Sequence, residues 1–175
     1  MEESAFSRQK LDDFLAVAYH ELHAIARRLF QAEKGQHTLQ PTALVNEAFV
    51  KMSQLEGLYC DNPQQFFAFT AGLMRQILVD HARTKKAEKR GGDVVFVEMP
   101  EVADPAGNRP LGILDLEQVL CELESKDPRK ARLIELRFFG GLTHPEIAEV
   151  LKVSLGTVER DWRFARAFLY SRIKR

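Results

Sequence analysis

Residues 142–169, LTHPEIAEVLKVSLGTVERDWRFARAFL, spell two helices joined by a tight turn. Thr143 stands at the N-cap, and Pro145 falls in the first turn, where a missing N–H costs nothing. Glu146, three residues after Thr143, completes a capping box. Ile147, Ala148 and Leu151 give the first helix one apolar face, with small Ala148 where a second helix crosses closely. The chain turns at Lys152-Val153, and Ser154 caps the next helix. Val158, Trp162, Ala165 and Leu169 recur at i, i+4, i+7 and i+11, a single stripe for burial. Off that stripe lie Gly156, Thr157, Glu159, Arg160, Arg163 and Arg166, a set that suits phosphates and guanine edges. A helical hairpin that merely packs is the bland alternative. The arginine row favours a helix-turn-helix whose second helix lies in a DNA groove.

The rest of the chain is consistent with that partner. Of its 175 residues, 45% are hydrophobic and 29% charged, the balance of a soluble globular protein rather than a disordered or membrane one. The length allows one domain or two small ones. No apolar run approaches the roughly 18 residues that span a bilayer. Met1-Glu2-Glu3 opens the chain without the basic-then-apolar pattern of a secretory signal, so the cytosol is expected. Cys60 and Cys121 form no CxxC pair and read as reduced thiols, small hydrophobes for burial.

Net charge is zero, but the charge is segregated. Arg75, Arg83, Lys85, Lys86, Lys89 and Arg90 outweigh Asp80 and Glu88 to give residues 75–92 a net charge of +4. Residues 155–175 carry the same excess, whereas residues 93–127 have a net charge of −7. Two basic patches around an acidic stretch suggest two separate contacts with a polyanion.

Helical periodicity runs through most of the chain. Leu11, Phe14, Leu15, Ala18, Leu22, Ile25, Ala26 and Leu29 predict a helix from about 10 to 33. Pro41 opens a second, with Leu44, Val45, Ala48, Phe49 and Met52 on its apolar side. Asp61-Asn62-Pro63 starts a third, which changes from aromatic (Phe66, Phe67, Phe69) to a basic tail before Gly91-Gly92 stops it. Pro100, Pro105, Pro110 and Gly107-Asn108 mark a linker, in which Val94-Val95-Phe96-Val97 has the composition of a short strand. Helices are then predicted over about 115–125 and from Pro128 to Phe139, with Gly140-Gly141 as the stop before the helix-turn-helix. The expected fold is all-α: two small helical domains, 1–90 and 114–175, joined by a flexible acidic linker over 91–113.

Nothing points to an enzyme. There is no P-loop, GxSxG, HExxH or paired-carboxylate signature. His20 and His23 stand at i, i+3 but lack a third ligand, so no metal and no cofactor are expected. His81 and His144, beside basic or cap positions, are candidates for phosphate contact.

Together these features resemble bacterial RNA polymerase sigma factors of the extracytoplasmic-function (ECF) type. ELRFFGGLTHPEIAEVLKVSLGTVERDWRFARAFL (135–169) is similar to the domain that reads the −35 promoter element. ALVNEAFVKM (43–52) is similar to the helix that binds the polymerase clamp, and FFAFTAGLMRQILVDHARTKKAEKR (66–90) to the helix that opens and reads the −10 element. The resemblance implies a promoter-specificity subunit whose partners are bacterial core RNA polymerase and promoter DNA, both duplex and single-stranded, with an anti-sigma partner left open. It implies −35 contacts at Gly156, Thr157, Glu159, Arg160, Arg163 and Arg166. It implies −10 contacts at Phe69, Arg75, Gln76, Arg83, Lys85 and Lys86, with Tyr59, Phe66 and Phe67 as further aromatic surface. It implies core-polymerase contacts at Leu44, Asn46, Glu47 and Lys51.

The chain departs from the family pattern at several positions. Gln40-Pro41-Thr42-Ala43 replaces an acidic stretch, Asn46 a Gln, Phe69 a Trp, Gln76 an Asn and Lys152 a Gly. Asp161 and Phe164 stand where Arg is common. The alternative function is a free-standing helix-turn-helix regulator that binds duplex operators as a dimer.

Overall fold

The computed structural model describes residues 17–30, 39–55, 60, 62–88, 95–97 and 111–173. The described chain is helical: α1 (17–29), α2 (Pro41–Ser53), α3 (Pro63–Glu88), α4 (Ile113–Lys126), α5 (Pro128–Phe138), α6 (His144–Leu151) and α7 (Leu155–Ile173). Tyr59, Lys89-Arg90, the Gly91-Gly92 stop and the proline-rich middle of the linker lie outside the described residues. So do the first seven residues of the predicted N-terminal helix and its last turn.

Helices α2, α3, α5, α6 and α7 start where the sequence offers a cap or a proline. Pro41 occupies the first turn of α2. Asn62 Oδ1 accepts from the Gln65 N–H at 2.8 Å and so caps α3. Asp127 serves two helices: its N–H closes α4 on the Leu123 carbonyl at 2.7 Å, and its Oδ1 caps α5 by accepting from the Lys130 N–H at 3.1 Å. Past α5 the chain reverses through Gly141, whose φ of 68° is left-handed. A Cβ there would stand 2.8 Å from Ile25 Cδ1, so the same glycine also lets the turn lie against α1.

At 26 residues α3 is the longest described helix, and α2, α4, α5 and α6 all pack against it. Phe66, Ala71, Met74, Ile77 and Leu78 are buried along it. Thr70, also buried, donates its hydroxyl to the Phe66 carbonyl at 2.8 Å. The apolar stripes of both halves merge into one continuous core, from Ala18 to Leu169. The expected linker is anchored in it at both ends. Phe96–Val97 pairs antiparallel with Leu111–Gly112, and Val95, Val97 and Leu111 are buried.

Two placements correct the sequence reading. Cys60 is buried as expected, but Cys121 is exposed, because the stripe Leu116, Leu120 and Leu123 turns the opposite face of α4 to the core. Leu44 is fully buried with Val45, Ala48 and Met52, which moves its side chain from the expected polymerase surface into the core.

Candidate nucleic-acid interface

The turn between α6 and α7 is built by local chemistry. Glu146 accepts from the Thr143 N–H at 2.7 Å and from its hydroxyl at 2.6 Å, fixing the entry to α6. At the other end Lys152 adopts φ 54° and ψ 46°, the left-handed conformation that a glycine takes without strain. Its N–H returns to the Ala148 and Glu149 carbonyls, and the Val153 N–H reaches Ala148 O at 3.0 Å. Ser154 Oγ then accepts from the Thr157 N–H at 3.2 Å to open α7. The sharp reversal sets α6 across α7.

The buried stripe of α7 falls where the periodicity puts it. Val158, Trp162, Ala165 and Leu169 are all in the core, with the Trp162 ring 5.7 Å from both Phe138 and His144. Gly156, Glu159, Arg160, Arg163 and Arg166 are exposed, and Thr157 is half-buried. A Cβ on Gly156 would meet nothing within 4 Å, so its surface stands open to a partner. The three guanidiniums have no ion pair among the described residues, and the row is held ready by a rigid helix rather than by contacts of its own. His144 turns Nε2 inward, where it finds no partner among the described residues.

The two departures on α7 have structural roles. Asp161 is 4% exposed and faces α5, where its carboxylate meets Arg129 and Lys130. Phe164 is 53% exposed, stacks on Phe168 and lies under the Lys130 ammonium, 5.1 Å from the ring centre. Neither belongs to the arginine row. Sequence periodicity places Asp161 one residue from Trp162 and so near the buried side, but it does not reveal the cations that receive it.

On α3 the expected strand-contact residues divide. Gln76, Arg83 and Lys86 are exposed, with Arg83 only 3.9 Å from Asp80; Lys85 is half-buried. Phe69 packs partly against the core, and Phe66 is wholly within it. Arg75 is different. Its Nε donates to Glu117 Oε2 at 2.8 Å and its Nη1 to Glu135 Oε1 at 3.3 Å, with the three side chains between 12% and 19% exposed. Burial alone would lower the Arg75 pKa, but the bonds and fields of Glu117 and Glu135 outweigh it and raise the value. These carboxylates were not legible as partners, being 42 and 60 residues away in sequence.

On α2 the residues of the expected polymerase surface other than Leu44 reach outward. Asn46 and Glu47 are exposed and Lys51 is half-exposed, beside the exposed Val50. His23 Nε2 lies 3.0 Å from Thr42 Oγ1. Among the described residues no group of three or more His, Cys, Asp or Glu side chains is placed to hold a metal. Likewise no described helix is long and apolar enough to cross a membrane.

A family model described as ECF sigma factor matches residues 7–175. No curated protein matches the chain.

Proposed function

Because the chain belongs to the ECF sigma factor family and is a sigma subunit of transcription initiation, we propose that its two helical halves divide the work of promoter recognition. The family is one of non-enzymatic transcription factors that act with RNA polymerase and promoter DNA. In this reading residues 1–90 bind core polymerase and the −10 element, residues 91–113 link, and residues 114–175 read the −35 duplex. The polymerase supplies the bond-making chemistry, in the cytoplasm.

The observation that carries the −35 assignment is the row Arg160, Arg163 and Arg166. All three are exposed on a helix whose opposite side is fixed in the core. Major-groove recognition asks for that arrangement, a rigid helix with guanidiniums free to fork onto guanine or grip phosphate. Strand capture asks for a cationic track beside aromatic or amide groups. Gln76, Arg83, Lys85 and Lys86 supply it on the outer part of α3, with Phe69 behind them. Asn46, Glu47 and Lys51 form the polar side of α2 offered to polymerase, and Leu44 holds that side in place from beneath.

Run-off transcription with purified bacterial core polymerase on a promoter library tests the whole reading. The expected result is transcription from a subset of templates that core alone does not use. Absence of both co-purification with core and any new transcript would overturn it, and binding to palindromic operators without polymerase would favour a dimeric regulator instead.

A further inference from the structure

Two large apolar side chains of α7 stand in solvent: Leu155 at its first residue and Phe164 in its third turn, the latter 53% exposed. Phe164 follows Arg160 by four residues, so by helical period it flanks Arg160 on the side away from Arg163. A rise of about 1.5 Å per residue puts it roughly 6 Å further along the axis than Arg160.

A single exposed apolar residue is ordinary on a protein surface. Phe164 differs in being held. Its ring stacks on Phe168, with 6.4 Å between the centres and 17° between the planes, and the Lys130 ammonium stands 5.1 Å from its centre. Phe168 packs against the core and carries Lys126 and Arg172 at 5.2 and 5.3 Å from its own ring centre. The local charge also favours a phenylalanine. An arginine in its place would meet Lys130, whereas the aromatic face attracts that ammonium. Asp161, three residues earlier, is turned inward to Arg129 and Lys130, so its charge is neutralised within the protein and does not face a groove.

Guanidiniums fork onto guanine, but a phenyl ring has no hydrogen bond to offer a base edge. The apolar group that the major groove presents is the C5-methyl of thymine. We propose that Phe164 is a specificity-determining residue of this chain: with α7 in the −35 duplex, its ring packs on a thymine methyl one helical turn beyond the contact of Arg160. This rests on the reading of α7 as the −35 helix. Phe168 and Lys130 already limit the two torsions of the side chain, so the contact costs little ordering. One buried methyl corresponds to about a three- to fivefold preference in affinity.

The test uses the full chain bound to bacterial core polymerase, on a promoter recovered from the library. Each thymine of its −35 element is replaced singly by deoxyuridine, which lacks only the methyl group. Promoter binding is measured for wild type, Phe164→Ala, Phe164→Leu and Phe164→Arg, each checked for unchanged helical content by circular dichroism. The expected result is one thymine whose replacement weakens wild-type binding about three- to fivefold and leaves Phe164→Ala unaffected. Phe164→Leu should keep part of that sensitivity, and Phe164→Arg should move the preference at the same base pair from thymine toward guanine. A ring that merely covers Phe168 would lower the melting temperature on truncation yet leave the deoxyuridine effects equal in wild type and variant. Equal effects in wild type and the folded variants therefore overturn the proposal, as does a −35 element in which no thymine methyl matters to the wild type. Should Phe164→Ala not fold, an unaltered base preference in Phe164→Arg overturns it equally. In each of these cases the sigma reading stands, because the promoter is still bound. If the chain binds no core polymerase and recovers no promoter, the sigma reading fails first and takes this one with it.

Discussion

Asp161 on α7 accepts from Arg129 Nε and Nη2 at 2.8 Å, with Lys130 Nζ 3.6 Å from its other oxygen. The carboxylate is almost wholly buried, whereas the Arg129 side chain is 43% exposed. The two truncations are therefore unequal. Arg129→Ala leaves a buried charge with only Lys130, whereas Asp161→Ala leaves an arginine that can turn to water. Arg129→Ala should cost about 1–3 kcal/mol and Asp161→Ala less, discounted for the exposed arginine. Urea denaturation of both singles and the double should give a double-mutant loss smaller than their sum. Strict additivity would show that the pair does not couple α7 to α5.

Asp127 gives a pH dependence with a definite sign. The Lys130 ammonium bond holds its pKa below the ordinary 3.8; burial opposes this, while the Lys130 backbone N–H and the charges of Lys130 and Arg129 add to it. A carboxyl depressed in the folded state contributes stability that is complete above its unfolded value and lost as pH falls through the folded one. Asp127→Asn keeps a capping side chain but removes the charge, so its stability should fall less steeply than wild type as pH drops below about 4. Asp127→Ala loses the cap as well, about 1 kcal/mol even at neutral pH. Parallel acid-unfolding curves for wild type and Asp127→Asn would exclude this role.

Lys152 carries strain at the turn that makes the site. With φ at 54°, Lys152→Gly should stabilise by about 0.5–1 kcal/mol, the relief of the left-handed conformation less the added freedom of the unfolded chain. Lys152→Val should destabilise by about 1 kcal/mol or more, since a β-branched side chain tolerates that conformation worst. Thermal melts of the two variants should move in opposite directions.

The α6–turn–α7 geometry was legible because its determinants are local. The Thr143–Glu146 cap, the Ser154 cap and the Val158–Leu169 stripe all lie within four residues or follow one helical period. The same period placed Leu44 on an apolar face with Val45 and Ala48, so its burial was present in the pattern, and only the family resemblance made it a contact residue. What sequence does not encode locally is which distant charge a buried charge meets. Asp161 is 32 residues from Arg129, and Arg75 is 42 from Glu117; only packing of α7 on α5 and of α3 on α4 brings them together.

The outer track of α3 predicts a salt effect. Arg83, Lys85 and Lys86 should follow phosphates once the strand is bound, while Gln76 faces bases. Neutralising the three cations together should reduce open-complex formation and flatten its dependence on salt, because fewer counterions are released. Permanganate reactivity of promoter thymines reads this directly. Full reactivity in the triple variant at raised salt would remove these residues from the strand path.

On α7 the proposed reading residues are separate from those that hold the fold. Trp162 fills the core between Phe138 and His144, so Trp162→Ala should cost about 3–5 kcal/mol and unfold the helices around it. Arg160, Arg163 and Arg166 are exposed, and alanine at each should leave the melting temperature nearly unchanged. Their effects on DNA then divide by what each one touches. A guanidinium forked onto guanine should lose about 1–3 kcal/mol on truncation and relax preference at one base pair only. One that grips phosphate should weaken binding to every sequence and reduce the salt slope by about one. By helical period Arg160 lies furthest from the buried stripe, Arg163 next and Arg166 nearest its flank; we assign Arg163 to a base and Arg166 to phosphate. Selection of −35 variants against each alanine substitution decides between them: an unaltered sequence preference for Arg163→Ala removes it from base reading.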